Sequence, residues 1–314
     1  MILRYEHLHT HPTVFKSMTG LRVGEFDALV RDLLPGYQAA EQARLSRPTR
    51  QRAIGAGHPF ELTARDQILL TVVWLRVYPT YEVLGYLFDV SDTTAGRTVT
   101  RLLPLLEAAG LDSMRMPDPG RKRRRHLDEL LRETPELVVL IDTFEQRVQR
   151  PRDRSEADKF YSGKKKQHTL KSQLGVDELN GKIVDVPESV PGPTADITLV
   201  EESGVLGRLP EDVGAAGDLA YVGMDKLHPQ GQGVTPRRKP RGQERPPEDI
   251  EYNRAFARRR IPVEHTIGRV RRYQSLTQTD RHHRKHHTAR VRAVAGLVNR
   301  QLERLLPRCE RRAA

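Results

Sequence analysis

Cysteine is nearly absent. The single Cys309 among 314 residues excludes an internal disulfide framework and deprives any zinc cluster of its usual thiolates. Long apolar runs are missing too. The most apolar window, ILLTVVWL at 68–75, falls far short of the roughly 18 residues a membrane-spanning helix needs. The N-terminus MILRYEHLHTHPT has no secretory pattern and offers no amphipathic or lipidated anchor. Acids are outnumbered, 41 Asp and Glu against 53 Lys and Arg, for a formal charge of +12. A positive field of that size favours a polyanionic partner. The expectation is a soluble, intracellular protein that faces nucleic acid, with no membrane partner.

The charge is organised along the chain. Basic clusters at 121–125 (RKRRR), 164–166 (KKK), 237–241 (RRKPR), 258–260, 269–272 and 281–290 (RHHRKHHTAR) alternate with apolar segments. A disordered basic tail would gather its charge at one end. The interleaving predicts a folded body whose surface tracks a backbone of phosphates. Any one cluster, alone, is also the ordinary solvated face of an arginine-rich protein.

The first 110 residues read as all-α. Leu21, Phe26, Leu29, Val30, Leu33 and Leu34 fall at helical spacing within 18–47, with Pro35-Gly36 expected to end the run. A polar, basic connector (45–59) leads to three helical segments at 60–79, 79–90 and 91–110. Thr63, Thr80 and Ser91 or Asp92 are their candidate N-caps, and Trp74 is expected in the core. Helix, tight turn, short helix, tight turn, longer helix is the spacing of a helix-turn-helix unit. Its last helix is expected to present Thr93, Thr94, Arg97, Thr98 and Arg101 outward to DNA, although any compact three-helix bundle shares the pattern. A charged linker, 111–135, then separates this region from one with strand character.

That second region carries the chemistry. The run LVVLI (137–141) suits a central strand buried on both faces, and Asp142 follows directly. Taken alone Asp142 reads equally as a turn residue; a buried carboxylate, however, needs a partner, and a metal is one. Residues 164–192 read as two strands joined at Asn180-Gly181, and 193–206 as a helix. A weaker strand precedes Asp218, a long basic loop covers 224–248, and a helix over 249–275 contains Glu264, with Pro262 predicting a kink or restart. Glu264 is the one acid among the six arginines of RRRIPVEHTIGRVRR (258–272). Gly268 stands one turn ahead of it, so it lacks the favourable i+4 cation. It is a local ion-pair partner or a ligand. Three carboxylates on separate elements make sense together if the fold gathers them, because two Mg²⁺ ions about 3.5–4 Å apart can drive phosphodiester chemistry when acids anchor them.

The segments LIDTFEQRVQRP (140–151), FYSGKKKQHTLKSQLGVD (160–177), GKIVDVPESVPGPTAD (181–196), GDLAYVG (217–223) and RRRIPVEHTIGRVRRYQSL (258–276) together resemble the DDE transposases of the IS5 type, the DDE superfamily endonucleases. The resemblance covers roughly 60–280. It implies an RNase H-like catalytic domain (136–280), an α/β mixed sheet flanked by helices, behind an N-terminal helix-turn-helix (60–110) and ahead of a basic C-terminal helix (281–314). Carried over, the catalytic and metal-holding acids are Asp142, Asp218 and Glu264, with Asp196 as an auxiliary or, equally, an acid complementing a helix dipole. The implied cofactor is Mg²⁺ or Mn²⁺ in a two-metal site, and the partners are double-stranded DNA and further copies of the chain. Thr143-Phe144 and GPTAD depart from the family's usual glycine and Gly-Ser-x-His-Asp forms. Lys164, Lys165, Lys166, His168, Arg260, Arg269, Arg271 and Arg272 are expected at DNA. The pairs His282/His286 and His283/His287 have a spacing able to bind a metal, but a DNA-contacting helix is the favoured reading.

Two other functions fit the same residues: a DNA-binding protein that has lost catalysis, and a nuclease of the same fold that cuts without joining.

Overall fold

A computed structural model of the chain describes residues 3–46, 49, 51, 60–121 and 128–303. Most of the 45–59 connector, nearly all of the RKRRR cluster and Cys309 lie outside the described residues. The N-terminal region holds α1 (Tyr5–Leu8), α2 (Pro12–Thr19), α3 (Val23–Leu45), α4 (Ala64–Val77), α5 (Tyr81–Phe88) and α6 (Asp92–Asp112). The expected caps form. Thr63, Thr80 and Ser91 each accept a backbone N–H from the third residue onward, which fixes where α4, α5 and α6 begin. Between α5 and α6 the chain turns so tightly that a Cβ on Gly85 would stand 2.6 Å from the Val90 carbonyl oxygen.

Two expectations about proline fail. Pro35 does not end α3, and Pro262 neither ends nor restarts the later helix α10 (Pro247–Val270). Each removes one N–H from the ladder, and the carbonyls left over belong to Arg31 and Arg258, both exposed residues, so the loss falls on the solvent side of each helix.

The strands are β1 (Leu137–Arg147), β2 (Tyr161–Ser162), β3 (Gln167–Asp177), β4 (Ile183–Asp185), β5 (Val190–Pro191), β6 (Val213–Ala216) and β7 (Gly233–Val234). Their order is β2–β3–β1–β6–β7, with β4 and β5 also paired to β3. Antiparallel β3 lies on one side of β1 and parallel β6 and β7 on the other, the RNase H-like arrangement. The predicted hairpin is there: β3 returns to β4 through Asn180 and Gly181, the latter at φ 72°. The 224–248 loop is less loose than expected, since it includes α9 (Met224–Leu227) and β7. Helices α7 (Arg154–Phe160), α8 (Asp196–Ser203), α10 and α11 (His287–Glu303) complete the fold.

β1 is buried on both faces, as its unbroken apolar run requires. Val138, Leu140 and Phe144 point into a large core that also contains α4, α6, α10 and α11; Leu137, Val139 and Ile141 point into a smaller one with α8 and Tyr221. The large core is continuous from the N-terminal helices to the sheet. Its seam is α6 against α11, where a Cβ on Gly296 would lie 2.5 Å from the Gly110 Cα.

This packing corrects the reading of the C-terminal segment. α11 is a core helix, with Val291, Val294, Leu297 and Val298 buried, and its charges are used internally. Arg290 is buried against Asp280. His287 is buried between the Ser189 hydroxyl and the Gln146 side-chain oxygen, each at 2.9 Å. His282 sits among the rings of Trp74, Tyr78 and Tyr81. His283 caps a 3-10 turn, Arg284–His286, ahead of α11, so neither histidine pair shares a helical face. Burial explains both departures: an apolar stripe outweighs the run of basic residues that leads into it.

Candidate active site

β1 and β6 run parallel, and their last paired residues are Leu140 and Ala216. Asp142 and Asp218 each follow two residues later, Asp142 midway along β1 and Asp218 just past the end of β6, so neighbouring inner strands bring both acids to one level of the sheet. By strand alternation Asp142 shares a face with Leu140, the face covered by α10. There Arg260 donates from Nη2 to Asp142 Oδ2 at 3.1 Å, while the Thr143 N–H donates to Oδ1 at 2.8 Å. Burial pushes the Asp142 carboxyl above its ordinary range; the Thr143 amide and Arg260 pull it back, and the charges of Asp218 and Asp196 push it up again. Asp218 opens the turn Leu219–Tyr221 and accepts the Ala220 N–H at 2.8 Å.

Thr143 points the other way, toward α8. Its hydroxyl donates to Asp196 Oδ1 at 3.2 Å, and the Lys171 ammonium donates to the same oxygen at 2.7 Å. Lys171 and Asp196 are nearly buried, with side chains 9% and 13% exposed. Asp196 therefore already has a resident cation, and it also begins α8, where an acid suits the helix dipole. Lys171 went unmarked in the sequence. The available signal was a lysine in a strand of otherwise buried residues.

Glu264 lies on α10 one turn beyond Arg260, exposed and without an ion pair among the described residues. Val263, Thr266 and Val270 bury the opposite side of that helix, which Arg259 anchors through a buried two-bond ion pair with Glu178 at 2.7 and 2.9 Å. The fold thus draws Asp142, Asp218 and Asp196 into one electrostatic cluster, and Glu264 stands one helical turn from Arg260, which pairs with Asp142. Among the described residues no three His, Cys, Asp or Glu side chains enclose a metal position. The donor chemistry at Asp142 and Asp218 still fits a hard divalent cation: oxygens only, with negative charge crowded enough to raise Asp142. Arg260 supplies positive charge there.

The expected DNA contacts divide. Thr93, Thr94 and Arg97 at the start of α6 are exposed. Lys164, Lys165 and Lys166 are exposed on the turn between β2 and β3, with half-buried His168 against the Tyr161 ring at 5.5 Å. Arg271 and Arg272 are exposed at the end of α10, and Arg269 is half-buried. Thr98 and Arg101 correct the expectation. Thr98 is buried; Arg101 donates to Gln67 at 2.5 Å, pairs with Glu41 at 3.4 Å and lies over the Phe60 ring. Arg260 is likewise occupied, by Asp142.

Two acids on neighbouring parallel strands, beneath a basic helix and behind a three-helix unit, point to a class. Residues 141–299, just over half the chain, match the model of the DDE superfamily endonuclease, and the chain belongs to that family. Residues 60–111 match the helix-turn-helix of DDE superfamily endonuclease. Among relatives, the chain is 29% identical over 289 residues to a protein of Microchaete diplosiphon named as the probable transposase for insertion sequence element IS702, covering 92% of this chain and 94% of that one. It is 25% identical over 225 residues to a Streptomyces albus G protein named "Putative transposase for insertion sequence element IS112", covering 71% and 75%. No solved structure matches. Among the described residues no helix is long and apolar enough to cross a membrane.

Proposed function

We propose that the chain is a DDE transposase of the IS5 type. It binds the terminal inverted repeats of an insertion sequence through the helix-turn-helix, hydrolyses a strand at each end and joins the freed 3′-hydroxyl to target DNA. The observation that carries this reading is the parallel pairing of Leu140 with Ala216, which sets Asp142 and Asp218 side by side. Both acids hold Mg²⁺ or Mn²⁺, and Glu264, an exposed acid of α10, completes the set. Bound divalent ions supply Lewis-acid activation of the attacking hydroxyl and stabilisation of the leaving oxygen. Arg260, paired with Asp142, supplies positive charge at the site. Arg97 and the hydroxyls of Thr93 and Thr94 contact one stretch of duplex, and the 164–166 lysines and Arg271–272 hold phosphates. Two ends must be processed together, so the working form is a homodimer or larger assembly, in the cytoplasm at the nucleoid.

The test uses wild type, Asp142→Asn, Asp218→Asn and Glu264→Gln with DNA carrying the element's ends and Mg²⁺. Each variant should shift the DNA as wild type does yet neither nick nor join it. Variants that still cut refute the site. Wild-type cutting without joining points to a nuclease, and wild-type binding without cutting to a DNA-binding protein.

A further inference from the structure

Among the described residues Tyr86 and Tyr161 are the exposed tyrosines. Tyr86 has the exposed acids Glu82 and Asp89 within one turn on either side of it. Tyr161, 46% exposed, has the opposite company. The turn that follows it carries Lys164, Lys165 and Lys166, all exposed and none in an ion pair among the described residues. The stage is rigid. The Tyr161 N–H donates to the Asp158 carbonyl and closes α7, and Tyr161 pairs with His168 across the β2–β3 hairpin. Lys166 takes φ 52°, in the left-handed region that glycine occupies without strain, so the turn keeps a charged side chain where the backbone favours none. His168 meets the Tyr161 ring edge to face, with centroids 5.5 Å apart and planes at 69°. No ring among the described residues lies flat on it. His168 also stands six residues before Leu174, the partner of Asp142, so the tyrosine is about 20 Å along the sheet from the acids.

Lysines alone suffice to hold phosphates, whether the strand is paired or not. An aromatic face beside them adds affinity where a base can bring its own face to it, and inside a duplex those faces are taken up by neighbouring bases. We propose that the β2–β3 hairpin is a binding site for single-stranded DNA: Tyr161 stacks on an unpaired base while Lys164–Lys166 hold the flanking phosphates. This rests on the DNA-processing reading above and adds to it a site apart from both the acids and the helix-turn-helix.

The experiment is fluorescence anisotropy on the full chain with labelled oligothymidylate of about 12 nucleotides and a duplex of the same length, comparing wild type, Tyr161→Ala, Tyr161→Phe and Arg97→Ala, with thermal melts of each. Tyr161→Ala should bind oligothymidylate about 5-fold or more weakly, bind duplex within twofold of wild type and melt as wild type does. Tyr161→Phe should keep wild-type affinity, because the ring does the stacking. Oligothymidylate affinity of Tyr161→Ala within twofold of wild type overturns the site, as does an equal loss on both DNAs or a lowered melting point, which would assign the ring to the fold. Tyr161→Phe as weak as Tyr161→Ala overturns the stacking role and assigns the hydroxyl instead. Arg97→Ala should weaken duplex binding alone. If it changes nothing while Tyr161→Ala loses oligothymidylate, the helix-turn-helix reading falls and the hairpin site stands; in the reverse case only the hairpin site falls.

Discussion

Replacing Glu178 with alanine should destabilise the protein far more than an average substitution. Glu178 is buried at the end of β3 and accepts both arms of Arg259, at 2.7 and 2.9 Å, together with the Val138 N–H at 3.1 Å. Arg259 also donates to the Thr134 hydroxyl at 2.8 Å and the Pro135 carbonyl at 2.6 Å, and those two bonds survive the substitution. Truncation leaves the guanidinium, 4% exposed, without an anion. Removing one partner of such a buried pair costs about 3–5 kcal/mol. Total stability is about 5–15 kcal/mol, so about a fifth or more of it is at stake. A urea melt would show the loss as a lower midpoint at unchanged slope. Because this pair fastens α10 to the start of β1, hydrogen exchange along α10 should rise as well. Glu178→Gln keeps the acceptor for Val138 and should lose less. A Glu178→Ala protein within about 1 kcal/mol of wild type would refute the claim that this ion pair anchors α10.

Gly296→Ala should part α6 from α11, since the new carbon would lie 2.5 Å from the Gly110 Cα; a loss of about 1–3 kcal/mol is expected on urea melting, and unchanged stability would show that the seam is soft. Burial holds His287 down to about 3 and His282 to about 4 from an ordinary 6.5. The unfolded chain therefore takes up protons that the folded one refuses, so this stability is complete above pH 6.5 and drains away as pH falls toward 4 and 3. His287→Gln should flatten that slope in melts across the acid range, and an unaltered slope would contradict the assignment. Arg97→Ala should weaken DNA binding and shallow its dependence on salt by about one counterion, whereas Arg101→Ala should lower the melting point through the lost contacts to Gln67, Glu41 and Phe60; filter binding and calorimetry on both would expose a reversal of these roles.

Local signals in the sequence carry much of the fold. Thr63, Thr80 and Ser91 announce helix starts because a capping hydroxyl acts within three residues, and Asn180-Gly181 announces a turn for the same reason of range. The first half of β1 is legible because burial on both faces demands an unbroken apolar run, whereas its continuation through Asp142 to Arg147 is not. What stays hidden depends on distant partners. β7 is two residues in a stretch rich in proline and glycine, and only pairing with β6 makes it a strand. Lys171, Arg259, His287 and Arg290 look like surface charges until Asp196, Glu178, Gln146 and Asp280 meet them across the fold. The same holds at the site, where Asp142 and Asp218 declare themselves by following apolar or small-residue runs, while Arg260 acquires meaning only beside Asp142.

The glycine crossing of α6 and α11 has a mechanical consequence. α6 presents Arg97 at one end and, near the other, touches a helix whose Asn299 and His287 reach β4 and β1 through Ile183 and Gln146. Under the proposed function, rigid parts, rather than the intervening stretch at 111–135, would set the span between the bases α6 grips and the bond the sheet addresses. A molecule made this way carries its own ruler, and lengthening that stretch should leave the measured interval unaltered.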